Sequence, residues 1–135
     1  MAFQGVEHIG IAVKDLNSSI ALFESLLGSL CYKIEIVDSE QVNTGFFQTG
    51  SAKIELLEST DPDSVIAKHI QKKGEGIHHI AFAVDDIEKE MKRLSEAGFV
   101  LLSEKPKMGA DNKLVCFLHP KSTNQVLIEL CMDKK

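Results

Sequence analysis

The sequence predicts an α+β fold built from two tandem βαβββ modules, and three observations carry that prediction. His8-Ile-Gly-Ile-Ala-Val-Lys-Asp-Leu returns later as His79-Ile-Ala-Phe-Ala-Val-Asp-Asp-Ile, so the chain contains an internal repeat. Each copy leads into a helical pattern that stops at a glycine, Gly28 or Gly98, as a left-handed C-terminal cap requires. Near the end of each copy an Ile-Glu-Leu strand recurs, as Lys53-Ile-Glu-Leu-Leu and as Leu127-Ile-Glu-Leu-Cys.

The elements follow in order. Alternating residues from His8 to Val13 make the first strand, and Asp15–Leu27 is the first helix, with Ile20, Leu22, Phe23, Leu26 and Leu27 predicted on one buried face. Three strands follow at about Cys31–Val37, Gln41–Thr49 and Ala52–Glu58, the last two joined by Gly50-Ser51. Asp61–Lys73 reads as a connector helix with Pro62 in its first turn and Gly74-Glu75-Gly76 after its end. The second copy repeats the order: a strand from His79, a helix over Asp86–Ala97 with Ile87, Met91 and Leu94 inward, then strands at about Val100–Glu104, Lys113–Leu118 and Gln125–Met132. Ser122-Thr123-Asn124 supplies the last turn. Residues 1–135 therefore read as one domain, with a first module at about 5–59, the connector at 61–73 and a second module at about 76–132.

Composition narrows the function classes. With 15 basic and 20 acidic residues the net charge is −5, a poor match to nucleic acid. No apolar run is long enough for a membrane span, and the N-terminus lacks the basic-then-apolar order of a signal peptide, so a cytoplasmic location is expected. Cys31, Cys116 and Cys131 are odd in number, widely spaced and free of any CxxC, and read as reduced core residues. There is no P-loop, no GxSxG and no cysteine nucleophile context.

Strand parity gathers the candidate ligands. His8, Gly10 and Ala12 share one face while Ile9, Ile11 and Val13 take the other; His79, Ala81 and Ala83 likewise oppose Ile80, Phe82 and Val84. The bulky set belongs under the helix, and the small set beside each histidine leaves room for a ligand. Glu55 and Glu129 are opposite in parity to their Ile and Leu neighbours, so both fall on the histidine side. A buried carboxylate is costly unless paired or metal-bound. His8, Glu55, His79 and Glu129 are thus candidate ligands of one divalent ion, and the donor set suits Co, Zn, Mn or Ni better than Ca.

His78 has the wrong parity to ligate, His69 is expected to be solvated on the connector helix, and His119, at a His-Pro turn, is ambiguous. Lys105, Lys107 and Lys121 lie beside Pro106 and Pro120. They read either as solvated loop charge or as a small basic rim for a phosphate or carboxylate.

The paired modules, with a histidine opening each and a glutamate in each last strand, resemble the vicinal oxygen chelate superfamily (glyoxalase, bleomycin resistance and dioxygenase-like proteins). Three segments resemble its methylmalonyl-CoA epimerase family: Gly76-Ile-His-His-Ile-Ala-Phe-Ala-Val-Asp-Asp-Ile, Lys105-Pro-Lys-Met-Gly-Ala, and Phe117-Leu-His-Pro-Lys-Ser with Val126-Leu-Ile-Glu-Leu. The resemblance implies sheets curled around a metal-binding cleft, usually in a homodimer, with ligands at His8, Glu55, His79 and Glu129. It implies an isomerase that interconverts the epimers of methylmalonyl-CoA through a metal-stabilised enolate, with Glu129 as one base and an acyl-CoA thioester as partner. Some relatives carry a second glutamate on the second-to-last strand of the first module, where this chain has Asn43 or Thr44, with Glu40 just before. Two alternatives on the same scaffold are a glyoxalase I-type lactoylglutathione lyase and a metal-free small-molecule binding or resistance protein.

Overall fold

The computed structural model describes residues 3–134, which hold eight strands and three α-helices. The α+β class and the order βαβββ, repeated, are as the sequence predicts. The chain divides into two compact units, His8–His78 and the rest of the described residues.

In the unit His8–His78 the strand order is β2(Lys33–Val37), β3(Val42–Thr49), β4(Ala52–Ser59), β1(Phe3–Val13). β1 runs parallel to β4 and the other neighbours are antiparallel. Helix α1(Leu16–Leu27) begins where the Asp15 carboxylate accepts from Ser18 N at 2.9 Å and ends at Gly28, whose φ of 67° makes the left-handed cap. Leu16, Ile20, Phe23 and Leu27 cover Val13, Phe47 and Leu56 on the sheet. Gly45 sits beneath them, where a Cβ would stand 3.2 Å from Ile20 Cδ1. Leu22 and Leu26 are corrected: they are 64% and 70% exposed, because the sheet meets only the i, i+4, i+7, i+11 stripe from Leu16.

Other boundaries shift for local reasons. The connector is α2(Val65–Lys73), capped by Ser64 accepting from Ala67 N at 3.0 Å, so Pro62 lies in the turn ahead of the helix and not in its first turn. Gln41 has φ 56°, and β3 starts only after it.

The second unit orders its strands β5(Gly76–Val84), β8(Ile128–Asp133), β7(Lys113–Leu118), β6(Lys107–Met108), with β5 parallel to β8. Asp86 caps α3(Ile87–Glu96), and Ile87, Met91 and Leu94 pack on Val84, Cys116, Leu118 and Leu130 as expected. Phe3 joins this core against Phe82, ring centroids 5.3 Å apart.

The expected strand at Val100–Glu104 is corrected to one bridge, Leu101 to Leu118, with the short β6 pairing further along β7. Between them the Ser103 hydroxyl bonds the Lys105 carbonyl at 2.8 Å and Pro106 has no N–H to give, which breaks the ladder. Asn124 and Gln125 have φ of 55° and 69°, so β8 begins at Ile128 and not at Gln125. None of Cys31, Cys116 and Cys131 is in a disulfide, and burial pushes the Cys116 thiol up.

Candidate functional site

In the unit His8–His78, the bulky residues Ile11, Val13, Ile54 and Leu56 lie under α1. The intervening positions therefore share the opposite face. Register sets that face out in rows: Gly10 beside Glu55 beside Phe46 beside Lys33, and His8 beside Lys53 beside Gln48. Gly10 has no side chain to fill the space next to Glu55, and the carboxylate reaches the neighbouring histidine. His8 Nδ1 lies 3.1 Å from Glu55 Oε2, with both residues buried.

The row beyond holds Glu35, Thr44, Leu57 and Ala12, so of the two candidates Thr44 is the one on the His8 face. It is fully buried, and its Oγ1 has no hydrogen-bond partner among the described residues. Asn43 faces α1, where its Nδ2 donates to Glu58 Oε1 at 3.1 Å while Glu58 Oε2 accepts from Leu16 N at 2.8 Å. Glu40 ends the 3-10 turn Asp38–Glu40, before β3.

The second unit repeats the pairing. Ile128, Leu130 and Met132 pack toward α3, which leaves Glu129 on the other face with Ala81, Val115, Phe117 and Cys131. His79 Nε2 lies 3.3 Å from Glu129 Oε1, and both residues are buried. The Phe117 ring, directly across the ladder from Glu129, meets the His79 ring edge-on at 5.7 Å.

The lysines divide. Lys107 pairs with Val115 on this same face, and its Nζ stands 5.9 Å from the Phe117 centroid. Lys105 is exposed on a loop and Lys121 is exposed in the 3-10 turn Pro120–Ser122. His119 caps a 3-10 turn, its Nδ1 accepting from Lys121 N at 3.0 Å. His78 is packed edge-on against His69 at 4.9 Å, and His69 itself is half-buried on the connector helix. Burial first, then the charges of His69 and Lys73, pushes the His78 pKa down to about 4. Burial and Lys73 also lower His69.

Sequence reasoning passed over Lys53, which is 6% exposed on the His8 face. The signal was present: it stands two residues from Glu55 in one strand and so shares its parity. It also passed over Phe46 and Phe117, which recur at the same spacing as the two histidines.

A family model for the Glyoxalase/Bleomycin resistance protein/Dioxygenase superfamily matches residues 7–117. The Ethylmalonyl-CoA/methylmalonyl-CoA epimerase of Cereibacter sphaeroides is 40% identical, covering 93% of this chain and 95% of its own. Uncharacterized protein YqjC of Bacillus subtilis is 39% identical, covering 96% of this chain and 92% of its own. The crystal structure of methylmalonyl-CoA epimerase from Mycobacterium tuberculosis is 34% identical and superposes with a TM-score of 0.95 over 99% of this chain and 91% of that one. The chain therefore belongs to the Glyoxalase/Bleomycin resistance protein/Dioxygenase superfamily and, within it, to the methylmalonyl-CoA epimerase family of isomerases.

Proposed function

We propose that this isomerase interconverts (R)- and (S)-methylmalonyl-CoA, and that His8, Glu55, His79 and Glu129 together hold one divalent ion. The observation that carries the reading is the duplicated pair: a buried imidazole against a buried carboxylate, at 3.1 Å in one unit and 3.3 Å in the other. A buried carboxylate is tolerated where a cation meets it, and two imidazole nitrogens with two carboxylates suit Co, Zn, Mn or Ni. When bound, such an ion supplies positive charge that stabilises an enolate by several kcal/mol.

The protein groups do the rest. Glu129 takes the α-proton of the acyl group as the C–H pair moves into the enolate. Thr44 stands where some relatives place a second carboxylate, and a threonine hydroxyl donates a hydrogen bond far more readily than it accepts a proton. Inversion therefore draws its second proton from water or from another group on that face. Lys107, already drawn onto the Phe117 ring, and the exposed Lys105 and Lys121 form a basic rim for the anionic CoA moiety. The same reading makes the protein a cytoplasmic homodimer. No helix among the described residues is long and apolar enough to cross a membrane.

The deciding experiment incubates one epimer of methylmalonyl-CoA with the metal-loaded protein in heavy water. Deuterium should enter the α-position as the other epimer forms. Absence of exchange, together with turnover of a glutathione hemithioacetal, would move the assignment to the lyase. Absence of both, with no stoichiometric metal after reconstitution, would leave the metal-free binding protein.

A further inference from the structure

In the unit His8–His78 the strand order ends at β2, whose one neighbour among the described residues is β3. The outer side of a terminal strand offers N–H and C=O groups to another chain, and proteins shield such an edge by shortness, proline, charge or a bulge. The second unit does so at β6, which is two residues long and follows Pro106. β2 has five residues, Lys33-Ile-Glu-Ile-Val, with neither proline nor glycine. Its alternation sets Lys33 and Glu35 on the face of Phe46 and Thr44, and Ile34 and Ile36 on the face of Gly45 and Asn43, the α1 side. Helix α1 leaves both isoleucines uncovered, at 56% and 66% exposed. The edge therefore joins an apolar face to a face with one charge of each sign.

We propose that β2 pairs antiparallel with β2 of a second copy of this chain, about a two-fold axis at Ile34. This rests on the homodimer reading above and names its surface. In a symmetric antiparallel pair one residue stands opposite its own copy, and directly opposite side chains share a face. Centred on Lys33 or on Glu35, the register sets a charge against itself, which is destabilising. A centre at Ile36 or Val37 gives neither charge an opposite number. Centred on Ile34, Lys33 stands opposite Glu35 of the partner subunit, Glu35 opposite the partner subunit's Lys33, and the two Ile34 side chains meet at the axis. Lys33 Nζ already lies 3.5 Å from Glu35 Oε1 within the chain, so the contact assembles four charges of alternating sign. Lys33 also continues the row of Glu55 and Phe46, and that row then ends on a carboxylate of the partner. A contact made by one short strand belongs to the small, weak class of interfaces, so dissociation in the micromolar range is expected.

The test is sedimentation velocity on the full chain over a concentration series. The wild type should associate to a dimer. Ile34→Arg, Glu35→Lys and Lys33→Glu should each weaken association by at least about tenfold, the first by placing two guanidinium groups at the axis and the others by making all four charges alike. An equimolar mixture of the Glu35→Lys and Lys33→Glu chains should regain wild-type association, because a basic edge then faces an acidic one. Neither of those chains keeps an internal pair between positions 33 and 35, so recovery on mixing arises between chains. Variants that dimerise as the wild type does, or a mixture without recovery, overturn the proposal and leave a homodimer through another surface. A wild type that stays monomeric overturns the proposal and the homodimer reading together. Turnover of methylmalonyl-CoA by the wild type, read separately, decides the epimerase reading alone.

Discussion

Removing the imidazole of His79 should cut the response of thermal stability to zinc to a small remnant. A ligand at about a hundred times its dissociation constant stabilises the native state by about 2.7 kcal/mol. For a chain of 135 residues the unfolding entropy is roughly 0.28 kcal/mol/K, so that stabilisation raises Tm by about 10 °C. If loss of one donor weakens zinc about a hundredfold, the same concentration returns only about 0.4 kcal/mol, a shift of about 1.5 °C. The truncation also has a metal-independent cost, because His79 is 5% exposed and its ring meets Phe117 edge-on at 5.7 Å. Loss of that contact, with the space left behind, should lower the chelated His79→Ala protein by about 1–3 kcal/mol, or roughly 4–10 °C. Calorimetric scans of both proteins with zinc and with chelator separate the two effects. A wild type without a zinc response, or a variant that keeps the full shift, would refute the assignment of His79 as a ligand.

The other expectations concern single residues. His78 has its pKa lowered from 6.5 to about 4 by folding, so the unfolded chain binds the proton first and stability falls as pH drops below about 6.5. Urea denaturation of the chelated protein at pH 7.5 and pH 5 should show His78→Asn losing about 2 kcal/mol less than the wild type; equal losses would contradict the burial argument. Gly45→Val should cost about 1–3 kcal/mol in the same assay, because even a Cβ stands 3.2 Å from Ile20 Cδ1 under α1. Glu58→Gln should cost about 1 kcal/mol, since the carboxylate accepts from the first turn of α1 at Leu16 N, and should leave the zinc response whole.

The repeat, the caps and the strand faces were legible because each rests on a local rule. A period of two decides which side His8 and Glu55 share, and an aspartate before an apolar stripe marks a helix start wherever it occurs. What was illegible depends on partners distant in the chain. Leu22 and Leu26 look like core until the sheet shows which stripe of α1 it covers. Val100–Glu104 opens with an apolar run that reads as a strand, yet its pairing along β7 is broken ahead of Pro106. Lys53 carries a charge that suggests solvent, and only the register placing it beside His8 and near the Phe46 ring shows it buried.

Two carboxylates three residues apart on β4 show how far parity alone carries the argument. Glu58 points toward α1, and its oxygens accept from Leu16 N and Asn43 Nδ2. Those neutral donors satisfy it as a helix cap. Glu55 points the other way, against an imidazole, in a row where Gly10 offers no side chain. A charge placed so is stabilised most by a cation, and its counterpart Glu129 is held against His79 in the same manner. The same residue type in one strand therefore meets neutral donors on one face and an imidazole on the other. Glu58 required for zinc with Glu55 dispensable is the outcome that would overturn the proposed place of Glu55 in the ligand set.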